Sequence, residues 1–441
     1  MLNETNPDSN EQTCPLVNYL NVSNNEFTRS KLFSFSVVNE ISEDVVDQEN
    51  FQQFNENMKD TLPGLTKNEA DDAVTEIWNQ LVESKKIVYE KELNERTFIH
   101  TPSGKLFRWS QGINNGNWPV TGRSLWIIMN NYEKSINDED IKLKDDGSIW
   151  VVPRCSTDWQ QEYIDLMLDR LIEHLAIVND VNTNRVFLIG ISPTGGDGVF
   201  QLAPRMADRL AAASVINRHP NSASPLNLRN LPFAISMIGQ NSNDKNKSAA
   251  RVWAQSLEQH RRENFNDGYH YRIKIGKLEK QRHDTILWMN NHSRNPWPTR
   301  IVWRHRGYLS EKRFYWLALP IAEQVKNGET IVAEVRNRKN IYLEQIPEEI
   351  KALAIRLSDK LVNLDQTVTV SINRETTTTK IFHGIVPRTR TAIEQSLEER
   401  TDRMSVATAL LHVIWSSNGS IVSCHSPANT ELACPVCCLR M

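Results

Sequence analysis

Between Ser124 and Gly276 the chain alternates compact apolar runs with amphipathic stretches, and few folds accept that alternation. The runs are "SLWIIMN" (Ser124 to Asn130), "SIWVVP" (Ser148 to Pro153), "RVFLIG" (Arg185 to Gly190), "AAASVIN" (Ala211 to Asn217) and "PFAISMIG" (Pro232 to Gly239). A basic run follows in which Tyr269, Tyr271, Ile273 and Ile275 alternate with polar residues, which reads as a strand with a solvated face. Runs apolar on both sides belong to strands covered on both faces. Between them lie helix patterns: one from Asp158, its expected cap, to Val178, with Ile164, Leu168, Leu171, Leu175 and Val178 on one stripe; then "GVFQLAPRMADRL"; then "KSAARVWAQSLEQHRREN". This order predicts an α/β fold, a mainly parallel sheet flanked by helices.

The flanks read differently. Residues 1–60 are rich in Asn, Asp, Glu and Ser and are expected to form a polar, largely disordered arm with one β-rich island, Lys31 to Asn39. Ala73, Ile77, Leu81 and Val82 recur at helical spacing behind a cap at Thr66, so the α/β domain is expected over 61–311 with an N-terminal helix. From 312 to 388 five strand-like runs recur at spacings of about ten residues, the mark of a small C-terminal all-β unit. A helix is expected over 389–415, and residues 416–441 form a cysteine-containing tail. In that tail Cys424, His425, Cys434, Cys437 and Cys438 lack the pair spacing of a zinc finger, so an unstructured tail is expected and no metal or cofactor.

A net charge of -3 over 441 residues gives no electrostatic ground for nucleic acid or an acidic membrane as partner. The N-terminus has neither a basic start nor an apolar run, and the six cysteines make no disulfide framework, so a cytoplasmic location is expected. Nothing in the sequence fixes an oligomeric state.

The stretch "VFLIGISPTGGDGVF" (Val186 to Phe200) has the form of a strand, a sharp turn carrying a nucleophile and a glycine-containing entry into a helix. Together with "GGDGVFQLAPRMADRLAAASVINRHPNSASPLNLRNLPFAI", "WMNNHSRNPWPTRIVWRH" and "RFYWLAL", it resembles a family of α/β-hydrolases described as esterases and related in pattern to polyester depolymerases. The likeness runs from Ser124 to the end of the β unit, which that family also carries. It implies an α/β-hydrolase fold, a Ser-His-Asp triad and a small ester, peptide or other ligand as partner.

The family pattern at the turn is approximately Gly-x-Ser-Ala-Gly-Gly-Asp-Gly, whereas this chain has one more residue between Ser192 and the pair Gly195-Gly196. With Ser192 as nucleophile, the following residue should give its N–H to the oxyanion, and Pro193 has none. With Thr194 as nucleophile, Gly195 can donate, but the threonine brings an extra methyl and a restricted χ1. The resemblance places a second donor in a glycine-rich loop after "SLWIIMN"; this chain continues without glycine, leaving the side chains of Asn130 and Asn131 as substitutes. At the family's acid position stands Ser242, with Asp244 two residues on; at its histidine position stands Glu279, with His283 four residues on.

Two readings compete: a pseudo-hydrolase that binds without turnover, which is favoured, and a working ester or amide hydrolase using Ser192 or Thr194, His283 as base and Asp244 as its orienter. Asp197 and His219 match the family, yet Asp197 is expected to cap a helix and His219 to sit hydrogen-bonded in a loop. Arg205 and Asp208 are expected to form a surface pair, and the aromatic group from Trp297 to Trp316 a domain interface.

Overall fold

The computed structural model describes residues 64–100, 104–130, 147–154, 161, 163–191, 193–218, 220, 223–238, 245–264, 267–276, 278–308, 311–320, 323–374, 377–415 and 421–425. The chain divides into two compact units, Met1–Glu40 and Ile41–Met441, and the first lies wholly outside the described residues. The arm over 1–60 with its island, and the cap at Asp158, lie outside them as well.

Helix α1 (Lys67–Glu95) opens with a capping box: the Thr66 hydroxyl accepts from the Glu69 amide, and the Glu69 carboxylate accepts from the Thr66 amide at 2.8 Å. Both orphan donors at the helix start are thereby satisfied, as the cap predicted at Thr66 requires. The helix buries Ala70, Ala73 and Ile77 against Ile393 and Leu397 of a later helix, α6 (Arg390–Glu399).

The main sheet contains β1 (Thr97–His100), β2 (Lys105–Ile113), β3 (Arg123–Met129), β4 (Ile149–Pro153), β5 (Val181–Gly190), β6 (Ala212–Ile216), β7 (Phe233–Ile238) and β8 (Tyr271–Gly276). Their order across the sheet is β1-β2-β4-β3-β5-β6-β7-β8, and β3 to β8 are all parallel. β1 and β2 add an antiparallel edge that the sequence pattern did not announce. Side chains alternate between two buried layers. Leu125, Ile127, Met129, Val186 and Leu188 face helices α2 (Tyr163–Val178), α3 (Pro193–Arg205) and α4 (Lys245–Glu263). Trp126, Ile128, Phe187 and Ile189 face Ile286 and Met289 of α5 (Leu278–Asn290). A strand buried on both sides has no solvent-facing positions to fill with polar residues, which is why these runs do not alternate.

Beyond α5 the chain forms two five-stranded sheets. One has the order β16-β15-β13-β12-β9 and the other β10-β11-β14-β17-β18. Their strands are β9 (Arg300–Arg304), β10 (Arg313–Phe314), β11 (Leu317–Ala318), β12 (Thr330–Arg336), β13 (Asn340–Gln345), β14 (Ala352–Leu357), β15 (Val368–Arg374), β16 (Thr377–Gly384), β17 (Ala409–Trp415) and β18 (Ile421–His425). The β region therefore starts before 312, because β9 pairs antiparallel with β12. The helix expected over 389–415 ends at Glu399; Arg400 is extended, with φ -154°, and Ala409–Trp415 is instead a strand between β14 and β18. The apolar run "ALLHVIW", buried at five of its seven positions and carrying Val and Ile, fits that pairing better than a helix. Part of the tail is likewise ordered by pairing, since β18 sets Cys424 opposite Val413 and His425 opposite His412.

Trp297, Trp303, Phe314, Tyr315 and Trp316 are buried where the β sheets meet the α/β layers. The Tyr315 hydroxyl donates to the Ala207 carbonyl at 2.9 Å, and the Trp316 indole to the Pro298 carbonyl at 2.8 Å, so both polar atoms remain bonded inside an apolar junction.

Candidate active site

Open parallel sheets gather functional groups where their strands end. Here β5 ends at Gly190, the Ile191 amide donates to the Met129 carbonyl of β3 at 3.1 Å, and α3 begins at Pro193. Three glycines let these segments close up. A Cβ on Gly190 would stand 2.6 Å from the Gly195 carbonyl oxygen, one on Gly195 would stand 2.1 Å from the Met129 carbonyl oxygen, and one on Gly196 would stand 2.6 Å from the Arg218 Cβ. No side chain fits at those separations, so glycine here answers to close approach rather than to an unusual φ.

The close packing locates the extra residue. Gly190 touches the Gly195-Gly196 pair directly, and two positions before that pair stands Pro193; two positions after Gly190 stands Ser192. A proline at the first helical position suits the helix, because its missing N–H is one the helix does not use. The same feature removes an amide from the turn.

Thr194, half-buried, is the second residue of α3. His283, also half-buried, lies in the second turn of α5, which is fixed to β7 by a 2.7 Å hydrogen bond between Thr285 and Ser236 and to β8 by Arg272 donating to the Asp284 carbonyl at 2.8 Å. α3 packs on the Leu188 side of the sheet and α5 on the Phe187 side. Among the described residues no hydrogen bond joins Thr194 to His283. Ser192, Asp244, Ser242, His219 and Asn131 lie outside the described residues, as does the side chain of Glu279. Asn130 closes β3, half-buried, with its amide nitrogen 3.0 Å from where a Gly195 Cβ would stand.

Several charged groups differ from their sequence reading. Asp197 sits inside α3 and does not cap it; it accepts two 2.7 Å hydrogen bonds from Nε and Nη2 of Arg218, just past β6. The hydrogen bond to Asp197 holds the Arg218 guanidinium above its usual pKa, against the pull of desolvation. Arg205 and Asp208 form no surface pair: both are buried, Arg205 donating to Asp165 at 2.5 Å and Asp208 accepting from Arg400 at 2.5 Å. The short i,i+3 spacing hid partners 40 and 192 residues away. Lys247, in the first turn of α4, is 2% exposed, although a lysine at such a position reads in sequence as solvated. Among the described residues no cluster of His, Cys, Asp and Glu is placed to hold a metal ion, and no helix is long and apolar enough to cross a membrane.

No family model and no curated protein matches the sequence. Solved structures that resemble it include esterases and serine hydrolases. A thermostable esterase shares 15% identity with a TM-score of 0.35, over 45% of this chain and 62% of the esterase, so the match spans less than two thirds of that protein. A Bacillus cereus carboxylesterase shares 11% identity with a TM-score of 0.31, over 43% of this chain and 96% of that one. An enterobactin esterase from Shigella flexneri, solved in the presence of enterobactin, shares 13% with a TM-score of 0.30, over 44% and 55% of the two chains.

Proposed function

We propose that this chain is an α/β-hydrolase-fold protein of serine-esterase ancestry that binds a small ester, peptide or other ligand at the C-terminal edge of its parallel sheet with weak or no turnover. The observation that carries the reading is Pro193 at the opening of α3, where the residue after Ser192 would have to give its N–H to a developing oxyanion. Losing one such donor typically costs about 100- to 1,000-fold in turnover. One further feature supports it: no glycine follows Asn130 in "NNYEKSIND". Members of a triad act as a unit, so several simultaneous losses are not offset one at a time.

A second reading, an active hydrolase with Thr194 as nucleophile, His283 as base and Asp244 as its orienter, is favoured by one contact. Gly195, which would then give the first oxyanion hydrogen bond, lies against Met129 and Asn130, where the chain leaves β3 toward the loop that would give the second. Labelling the purified full chain with a tagged fluorophosphonate separates the two. The binding reading expects no label; label lost in Ser192→Ala or in Thr194→Ala overturns it and names the nucleophile.

A further inference from the structure

One residue past the end of β6 the chain turns back on itself. Asn217 takes φ 62°, in the left-handed region that asparagine tolerates better than most residues, and its amide donates to the Ser236 carbonyl of β7 at 2.7 Å. Such positions cost energy and persist where the surroundings fix them, often beside a binding site. The turn lays Arg218 across the start of α3. A Cβ on Gly196 would stand 2.6 Å from the Arg218 Cβ and 3.0 Å from its Cγ, so the stem of the arginine occupies the place of a side chain at 196. Its guanidinium reaches the next residue, Asp197, which lies three positions after Thr194 and therefore on the same face of α3, about one turn along.

The pair with Asp197 uses one edge of the guanidinium and leaves another. Nε and Nη2 donate to Oδ1 and Oδ2 at 2.7 Å each, which takes two of the five N–H groups. The other three belong to Nη1 and to the second hydrogen of Nη2. The end-on pair among them is a planar fork that matches a carboxylate in two parallel bonds. Among the described residues no acceptor meets Nη1, and Asp197 is the only charged group that shifts the arginine's pKa. The Arg218 side chain is 28% exposed, so solvent and solutes reach it, as they do not reach a fully buried ion pair. Because Asp197 already fixes the guanidinium, few rotamers remain to be lost when a ligand binds.

We propose that Arg218 is the specificity-determining residue of the site at the C-terminal edge of the parallel sheet, its end-on fork taking a carboxylate of the ligand. The inference rests on the ligand-binding reading above and narrows it: the ester or peptide carries a free carboxylate, as the half-ester of a diacid or a peptide C-terminus does. Asp197 is a positioning residue that aims the fork, and Gly196 leaves the space in which the arginine stem lies.

Binding of small acids and of their methyl esters to the full chain separates this role from that of a pair that merely pins the chain after β6 to α3. Benzoate, phenylacetate, hexanoate and monomethyl succinate, each against its methyl ester, are titrated by saturation-transfer NMR at about pH 7, where the acids are ionised. The parent chain is expected to bind the acids about 10-fold more tightly than the esters, the worth of one charge-assisted hydrogen bond. Arg218→Gln should bring that ratio to about 1 and leave the affinity for the esters unchanged. Arg218→Lys, which keeps the charge and loses the fork, should retain only part of the preference; full preference in it refutes the fork, and it decides the matter if Arg218→Gln does not fold. Acids and esters that bind alike to the parent chain, or a preference that survives in Arg218→Gln, overturn the role of Arg218 and leave the ligand-binding reading standing. Binding of neither overturns both. Fluorophosphonate labelling with the acid preference intact overturns weak turnover alone and sustains the carboxylate site.

Discussion

The Thr183 hydroxyl donates to Oδ1 of Asp402 across 2.6 Å, joining the start of β5 to the loop after α6, 219 residues further along the chain. Asp402 is fully buried and also accepts from Ser405 Oγ at 2.8 Å and from the Met404 amide at 3.1 Å, while two guanidiniums neutralise it. Asp402→Asn leaves Arg209 and Arg294 facing a neutral group. Breaking one partner of a buried pair costs about 3–5 kcal/mol. Urea unfolding should show a loss of that order; a change below about 1 kcal/mol would mean that the arginines find other acceptors.

Acid should weaken this seam between the α/β layers and the β sheets. Burial alone would raise the pKa of Asp402, but Arg294 and Arg209 outweigh it and hold the carboxyl well below its usual range; Arg400 does the same for Asp208. A carboxyl lowered on folding contributes stability that is fully present above its unfolded pKa, near 3.9, and is lost as pH falls through the folded value. The melting temperature is expected to hold from pH 7 to about 5 and to fall below pH 4, with a shallower fall in Asp402→Asn.

Glu173 works in the opposite sense. Burial, then the charge of Asp169, raises its pKa, while Lys85 and the Thr401 amide, which donates to it at 3.1 Å, only partly compensate. A carboxyl raised on folding favours the folded state most at low pH and loses that contribution as pH rises through the folded value. Glu173→Gln keeps an acceptor for Thr401 and removes the charge, so it should raise the melting temperature at pH 8 and leave it unchanged at pH 4. The reverse pattern would show that Lys85 outweighs the burial.

Two substitutions at the turn should differ sharply. Gly195→Ala sets a methyl against the Met129 carbonyl and should cost about 1–3 kcal/mol or more, because backbone must shift. Arg218→Ala breaks the pair with Asp197, but those side chains are 28% and 33% exposed, so the loss should stay under about 1 kcal/mol. Chemical denaturation of both variants would test the ranking.

Pro193→Ala returns an amide hydrogen to the residue after Ser192. Hydrolysis of an activated ester that depends on Ser192 is expected to rise by up to about 100-fold over the parent chain, measured against the Ser192→Ala, Pro193→Ala double variant as blank. No rise would indicate that the base and the second donor are missing too.

The parallel strands were legible because burial on both faces leaves an apolar run that no surface strand needs. "RVFLIG" and "PFAISMIG" announce themselves in this way, and Thr66 with Glu69 three residues on marks the start of α1. β9 was hidden because "RIVWR" directly follows the α/β pattern and finds its partner, β12, only some 30 residues later. β17 was hidden because its apolar run continues a helical rhythm, and its pairing with β14 is a fact of tertiary structure. At the site, the glycines and the proline could be read directly, since backbone geometry is written in residue type. Arg205, Asp208 and Lys247 could not, because nothing local tells a buried charge from a solvated one.

Because Asp402 and Arg400 enter the seam from beyond residue 389 while Asp208, Arg209 and Thr183 belong to the main-sheet region, neither half is self-sufficient. A fragment ending at 311 would keep Asp208 but lose the guanidinium of Arg400 and the amide of Tyr315 that answer it. Truncation at that point should yield an aggregating product rather than a minimal folded domain, and the intact molecule should melt in a single cooperative step.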